Sequence, residues 1–209
     1  MYYVIPDLHG RYDLLQKALK YIYKKQSTGK IIFLGDYIDR GTQNVDVLLT
    51  VMNPPDGWEF VTLKGNHEQI FCMAFDDPKT YHYYDDNAVR EISKDPRLKL
   101  RQVFDWIKTL PILHIVGKNI FAHAFYDTDL GPEEQDEEDV MWSRYADAEA
   151  FVHPKGYHLT HGHTPRKNGP LTAPRRTNLD CGAAYYGRLV IAEYEEKIAG
   201  PVNFVEFNG

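Results

Sequence analysis

The apolar run Ile31-Ile32-Phe33-Leu34 passes directly into Gly35-Asp36-Tyr37-Ile38-Asp39-Arg40-Gly41, and this junction constrains the chain more than any other stretch. Four consecutive apolar residues bounded by turn signals read as a strand buried on both faces, as in a covered α/β sheet. A buried strand that stops at a glycine and releases two carboxylates and an arginine puts charge at a strand end, where α/β proteins keep their chemistry. Taken alone, the loop reads equally well as a polar strand-to-helix connection. Two further strand ends carry comparable clusters, Asp7-Leu8-His9-Gly10 after residues 2–6 and Gly65-Asn66-His67-Glu68 after residues 59–63.

Between these strands the pattern is helical. Leu14, Leu15, Ala18, Leu19, Ile22 and Tyr23 recur at helical spacing, and Val45, Leu48, Leu49 and Met52 form a second such face. Strand, helix, strand, helix, strand with polar strand ends describes a parallel sheet. Residues 68–75 read as helix, and from about 76 to 110 the chain reads as a helical insertion, with Tyr81, Tyr83 and Tyr84 as a packed satellite cluster. The remainder is strand-rich: 112–116 and 119–123 joined by a Gly117-Lys118 turn, then 157–160, 177–179, 189–194 and 202–207. The acidic run at 131–139 reads as a solvated loop.

The 209 residues suit one domain, 1–209, with a sizeable core. Lys and Arg number 24 against 30 Asp and Glu, a net charge of −6, so there is no basic footprint for nucleic acid. Cys72 and Cys181 lack metal-type spacing and read as free buried thiols in a reducing compartment. With no secretory leader and no apolar run of membrane-spanning length, a cytoplasmic location is expected.

Asp7, His9, Asp36, Asn66, His123, His161 and His163 all fall at strand ends. Each has an ordinary structural explanation, such as a cap, a turn former or a satisfied core histidine. As a set, oxygen donors mixed with imidazoles on successive strand ends suit first-row divalent metals.

In order and spacing, Asp-x-His-Gly, Gly-Asp-x-x-Asp-Arg-Gly and Gly-Asn-His-Glu resemble the phosphoprotein phosphatases of the calcineurin-like metallophosphoesterase superfamily. His123 in Phe-Ala-His-Ala and His163 in Gly-His-Thr-Pro resemble the later histidine ligands, in the form typical of bacterial and bacteriophage serine/threonine phosphatases. The resemblance implies an α/β sandwich of two mixed β-sheets flanked by helices. It implies two divalent ions, manganese in an assay, with iron, zinc, cobalt or nickel also compatible. Asp7 and His9 would bind the first ion, Asp36 would bridge, and Asn66, His123 and His163 would complete the second site. His161 is expected to be structural. A hydroxide bridging the ions would attack phosphorus in line, His67 oriented by Asp39 would protonate the leaving oxygen, and Arg40, Arg144 and Asn66 would hold the phosphate. Lys64 stands where the family usually has arginine, which leaves its part in phosphate binding open.

The function so implied is a metal-dependent phosphomonoesterase acting on phosphoserine and phosphothreonine in proteins or peptides, with phosphotyrosine and small phosphoesters within range. A symmetrical dinucleoside tetraphosphatase is the alternative, and Asp39 argues against it, since those relatives commonly carry a small residue there. A phosphodiesterase or a nucleic-acid-end phosphatase is a further use of the same scaffold. A non-catalytic scaffold binding phosphorylated partners would have no use for a general acid.

Overall fold

The computed structural model describes residues 1–77, 87–147 and 149–209. Among these, the strands form two five-stranded mixed sheets. The first has the order β10-β9-β1-β2-β3, built from β1 (Tyr2–Ile5), β2 (Gly29–Phe33), β3 (Trp58–Thr62), β9 (Arg188–Tyr194) and β10 (Asn203–Asn208). The second has the order β4-β5-β6-β8-β7, from β4 (Leu113–Val116), β5 (Asn119–Ala122), β6 (His158–His161), β7 (Leu171–Ala173) and β8 (Arg176–Asn178). In each sheet three adjacent strands are parallel: β1, β2 and β3 in one, β5, β6 and β8 in the other.

Strand periodicity separates the cores. In β1, Tyr3 and Ile5 face the helices while Tyr2 and Val4 face the second sheet; in β2, Ile31 and Phe33 alternate with Ile32 in the same way. Both faces are covered, so every residue of β1 is buried and the strand reads as continuous apolar sequence. Phe121 enters the inter-sheet layer beside Tyr2 and Tyr194, while its neighbours Ile120 and Ala122 pack outward against Val140 and Phe151. Helices α1 (Tyr12–Lys25), α2 (Asn44–Met52), α3 (Asn66–Asp76), α4 (Asn87–Lys94) and α5 (Leu100–Ile107) contribute to the core on the other face of the first sheet.

The sandwich of two mixed sheets flanked by helices is the expected fold class. Local differences remain. The tyrosine cluster at 81, 83 and 84 lies outside the described residues. The described part of the insertion docks through Glu91, whose carboxylate accepts from Asn44 N at 3.0 Å and Val45 N at 2.9 Å at the start of α2. The acidic run is not all loop: α6 (Glu137–Trp142) forms within it, because Asp136 caps Glu138 N and Asp139 N and carboxylates favour the first turn of a helix. Strand β7 and the short helix α7 (Ala183–Tyr186) were not expected from the sequence. No helix among the described residues is long and apolar enough to cross a membrane.

Candidate metal centre and phosphate cleft

Each of the six parallel strands carries a buried polar residue just past its C-terminal end. Asp7 and His9 follow β1, Asp36 and Asp39 follow β2, Asn66 and His67 follow β3, His123 follows β5, His163 follows β6, and Asp180 follows β8. All nine are buried. The loops that hold them are tightly wound. His9, Asp36, Asp39, Arg40 and His163 all have φ between 45° and 69°, the left-handed region that side chains enter only when their surroundings enforce it.

Backbone packing supplies that enforcement. Leu8 N and His9 N both donate to Asp36 O at 2.9 Å, tying the first loop to the second. Gly35 lies against the third: a Cβ there would stand 2.6 Å from Gly65 N, so only glycine admits the approach. Buried Glu68 locks this junction by accepting from Asp36 N, Tyr37 N and Gly65 N at 2.8, 2.9 and 3.0 Å. Gly162 does the same for the far sheet, since a Cβ would meet Asp7 Oδ1 at 2.0 Å. Both Asp7 oxygens accept from His163 N at 3.0 Å.

One set of donors gathers around His123. Its Nδ1–H donates to Leu34 O at 2.8 Å, which leaves a lone pair on Nε2. That nitrogen lies 2.9 Å from Asn66 Oδ1, 3.2 Å from His163 Nδ1 and 3.5 Å from Asp36 Oδ1, and Asn66 Oδ1 is 3.1 Å from His163 Nδ1. Two of these atoms can only accept, and a proton on His163 Nδ1 is the single one available to a cluster of convergent lone pairs. A divalent cation satisfies them all, so the donors fit a metal. A second set forms around His9, whose Nδ1–H donates to Ile38 O at 2.7 Å and whose Nε2 stands 3.3 Å from Asp36 Oδ2. Arg40 Nη1 donates to the same His9 nitrogen at 2.6 Å, so positive charge is already drawn there.

Candidate ligand atoms of His9, Asp36 and His67 lie within 4.8 Å of one another, as do those of Asp36, His123 and His163. Asp36 is common to both sets. Asp7 belongs to the same buried cluster, but the compact triplet at His9 contains His67 rather than Asp7. His161 does not join the ligands. It turns toward Arg176, whose Nη1 donates to its Nε2 at 3.0 Å.

The electrostatics also call for a cation. Burial, with the Asp180 and Asp36 carboxylates nearby, raises the Asp7 carboxyl well above the usual range. Burial likewise pushes Asp180 up to about 7, against the pull of the Gly182 N–H, Arg40 and Arg144. Asp36 also feels burial, yet His123, His67 and His9 together hold it below the ordinary carboxylate range. Burial lowers His9 and His163 to about 3, which keeps their imidazoles neutral and ligand-competent. His67 is the exception. Burial works against its charge, but Asp36 and Asp39 raise its pKa, and its Nδ1 stands 2.7 Å from Asp39 Oδ2.

This cluster floors a cleft of about 710 Å³ that includes Arg40, His67, Trp142, Arg144 and Tyr185. Lys64 is not part of it, because its ammonium pairs with Glu137 of α6. Cys72 and Cys181 are free and buried, and burial pushes their thiols up to about 11 and about 12, which disfavours a thiolate nucleophile. Sequence reasoning named Glu68 within its motif without giving it a part, and missed Asp180, Trp142 and Tyr185. Asp180 carried the same signal as the others, a carboxylate and a glycine just past a short strand.

The comparisons with known proteins follow the same lines. A solved structure bearing a provisional diadenosine tetraphosphatase name superposes with a TM-score of 0.71 at 17% identity, covering 100% of this chain and 93% of that one. Serine/threonine-protein phosphatase 2 of Salmonella typhimurium is 30% identical over 152 residues, 68% of this chain and 67% of that protein. The asymmetrical bis(5′-nucleosyl)-tetraphosphatase PrpE of Anoxybacillus flavithermus is 26% identical over 226 aligned positions, 94% of this chain and 91% of its own length. The family model for calcineurin-like phosphoesterases matches residues 2–192, a span that takes in all six strand ends, and the chain therefore belongs to that family.

Proposed function

We propose that the chain, acting as one catalytic unit over 1–209, is a metal-dependent phosphomonoesterase that hydrolyses phosphoserine and phosphothreonine. The observation that carries this reading is the 2.7 Å bond between His67 Nδ1 and Asp39 Oδ2 in a cleft that Arg40 and Arg144 also line. A serine or threonine alkoxide is a poor leaving group and needs a proton as the ester bond breaks, and an imidazolium steered by a carboxylate supplies it.

Asp7, His9 and Asp36 would hold one divalent ion, and Asp36, Asn66, His123 and His163 a second. Such ions supply Lewis acidity toward the phosphoryl oxygens and lower the pKa of the attacking water. Arg40 and Arg144 bind phosphoryl oxygens through their planar guanidinium forks, with Asn66 beside them. Asp39 fixes the His67 ring so that its other nitrogen, Nε2, donates to the departing oxygen. Glu68 holds the Asp36 and Gly65 backbones in register and keeps the bridge where both ligand sets meet.

A second reading is a dinucleoside tetraphosphatase, which the near full-length match to PrpE favours. A nucleoside phosphate leaves with less help from a proton than an alkoxide does, so that chemistry has less need of the His67 and Asp39 pair. The test is turnover with defined Mn²⁺, read as inorganic phosphate from a phosphothreonyl peptide and as free nucleotides from a dinucleoside tetraphosphate, side by side. The protein-phosphatase reading expects the peptide to be the better substrate and chelation to abolish turnover. Preference for the dinucleotide, or turnover that survives chelation, overturns it.

A further inference from the structure

Arg176, the first residue of β8, is only 2% exposed. Its Nε donates to Glu149 O at 2.9 Å, and its Nη2 donates to Ala146 O at 2.8 Å and to Asp147 O at 3.1 Å. Its Nη1 donates to His161 Nε2 at 3.0 Å. These acceptors are three backbone carbonyls of the segment after α6 and one imidazole, with no carboxylate among them. The carboxylates of that segment are engaged elsewhere: Asp147 pairs with Arg166 Nη1 at 2.9 Å, and Glu149 accepts from Ala146 N at 2.9 Å. Burying a guanidinium without a counter-charge is costly, and the cost is offset only where its hydrogen bonds are well made. A rigid planar fork aimed at three carbonyls of one segment admits one path for that backbone.

The flat face of the guanidinium is used as well. It lies 4.6 Å from the centroid of the Tyr145 ring. Tyr145 also stacks on Phe125, with centroids 4.8 Å apart at 29°, and its hydroxyl donates to Tyr126 O at 2.9 Å. The residue before this fixed ring is Arg144, which is exposed and lines the cleft together with Asp36, Asn66 and His163. An exposed arginine has many rotamers, so the place from which its backbone launches it decides which of them reach a ligand. Helix α6 ends at Trp142, and setting that place falls to the segment Arg176 grips. The other end of the grip is on β6. Arginine only donates, so His161 Nε2 accepts, and the His161 Nδ1–H donates to Gly162 O at 3.1 Å. Arg176 thereby spans from the strand that leads to His163 across to the segment that carries Arg144.

We propose that Arg176 is a positioning residue for phosphate binding: it holds the segment after α6 so that Arg144 faces the donor cluster across the cleft. The inference rests on the proposed reading of the cleft as a phosphate site with Arg144 as one of its forks. Arg176 itself touches no substrate and acts through Arg144.

The test is a double-mutant cycle on the full chain loaded with Mn²⁺, read as the Kd of inorganic phosphate by titration calorimetry, with metal content per chain measured alongside. Arg144→Ala should weaken phosphate about ten- to a hundredfold, the size of a hydrogen bond to a charged group. Arg176→Met should weaken it about three- to tenfold with metal content unchanged, and in the Arg144→Ala background the same substitution should add less than about twofold. Arg176→Lys keeps the charge without the fork and should fall between Arg176→Met and wild type. Tyr145→Leu removes the ring beneath the guanidinium and leaves the buried charge in place. Its loss of phosphate affinity should likewise vanish in the Arg144→Ala background, and this pair decides the matter if Arg176→Met does not fold. Equal losses in the two backgrounds, or variants that lower only the unfolding midpoint, overturn the proposal and leave Arg176 as a support of the fold. Loss of Mn²⁺ in Arg176→Met overturns it too, because the effect would then run through His163. An Arg144→Ala variant that binds phosphate as wild type does removes Arg144 from the site and the proposal with it. A wild type that binds phosphate and shows the coupling, yet releases none from a phosphothreonyl peptide, upholds the positioning role and overturns the phosphomonoesterase reading instead.

Discussion

Replacing Asp39 by Asn separates proton delivery from metal binding. The substitution keeps an acceptor near His67 Nδ1, where Asp39 Oδ2 now stands at 2.7 Å, and removes the charge. Asp39 adopts a φ of 69°, and asparagine tolerates the left-handed region as well as aspartate does, so the loop should survive. A hydrogen bond to a charged partner contributes about 1.5–3 kcal/mol against about 0.5–1.5 for a neutral one, and both side chains here are only 9% exposed. The difference of about 1–2 kcal/mol corresponds to a loss of about five- to thirtyfold in kcat if the bond strengthens as His67 transfers its proton. That loss should appear in full on a phosphothreonyl peptide. On 4-nitrophenyl phosphate, whose leaving group needs little protonation, it should shrink to within about threefold. Phosphate release from both substrates with fixed Mn²⁺, alongside metal content per chain, is the assay. Equal losses on the two substrates, or a variant that no longer holds metal, would refute the assignment of Asp39 to the acid rather than to the ligand set.

His67→Asn removes the acid itself and should lower kcat on the peptide by about 10²- to 10⁴-fold while metal content stays near wild type, as read by elemental analysis. His161→Ala takes from Arg176 Nη1 its acceptor at 3.0 Å and should reduce unfolding free energy by about 1–3 kcal/mol in denaturant titration, with metal content unchanged; loss of metal would place His161 among the ligands. Glu193 gives a pH test remote from the cleft. Burial opposes its charge, but Lys25, Tyr21 and Asn203 hold its pKa below the ordinary glutamate value of about 4.3. A depressed carboxylate stabilises the fold above its unfolded pKa and loses that contribution as pH falls through the folded one. Wild type should therefore exceed Glu193→Gln in stability at pH 7, and the gap should close as pH falls below about 4. A gap that is constant with pH would remove the electrostatic explanation.

The sequence carried the strand ends more clearly than the loops between them. Ile31 to Leu34 is apolar at every position because one side packs on helices and the other on the second sheet, so the strand and its polar exit were both legible. The convergence of Asp7 with His163 was legible only through motif resemblance, because 156 residues of chain separate them and a single sequence carries no distance. Asp180 was missed although the strand before it was read at 177–179, because Asp180-Cys181-Gly182 matches none of the motifs that carried the resemblance. Helix α6 was hidden by composition. Its first turn is Glu137, Glu138 and Asp139, which reads as a solvated charge run unless Asp136 is recognised as the cap. Trp142 and Tyr185 look like any surface aromatics in sequence, and only the fold brings them to the same cleft.

The central claim is that Asp36 joins two ligand sets, with His9 on one side and Asn66, His123 and His163 on the other. Anomalous diffraction from crystals grown with Mn²⁺ tests it most directly. The account predicts two peaks per chain about 3.5–4 Å apart, with the Asp36 carboxylate between them. A single peak, or a pair that Asp36 does not touch, would contradict it.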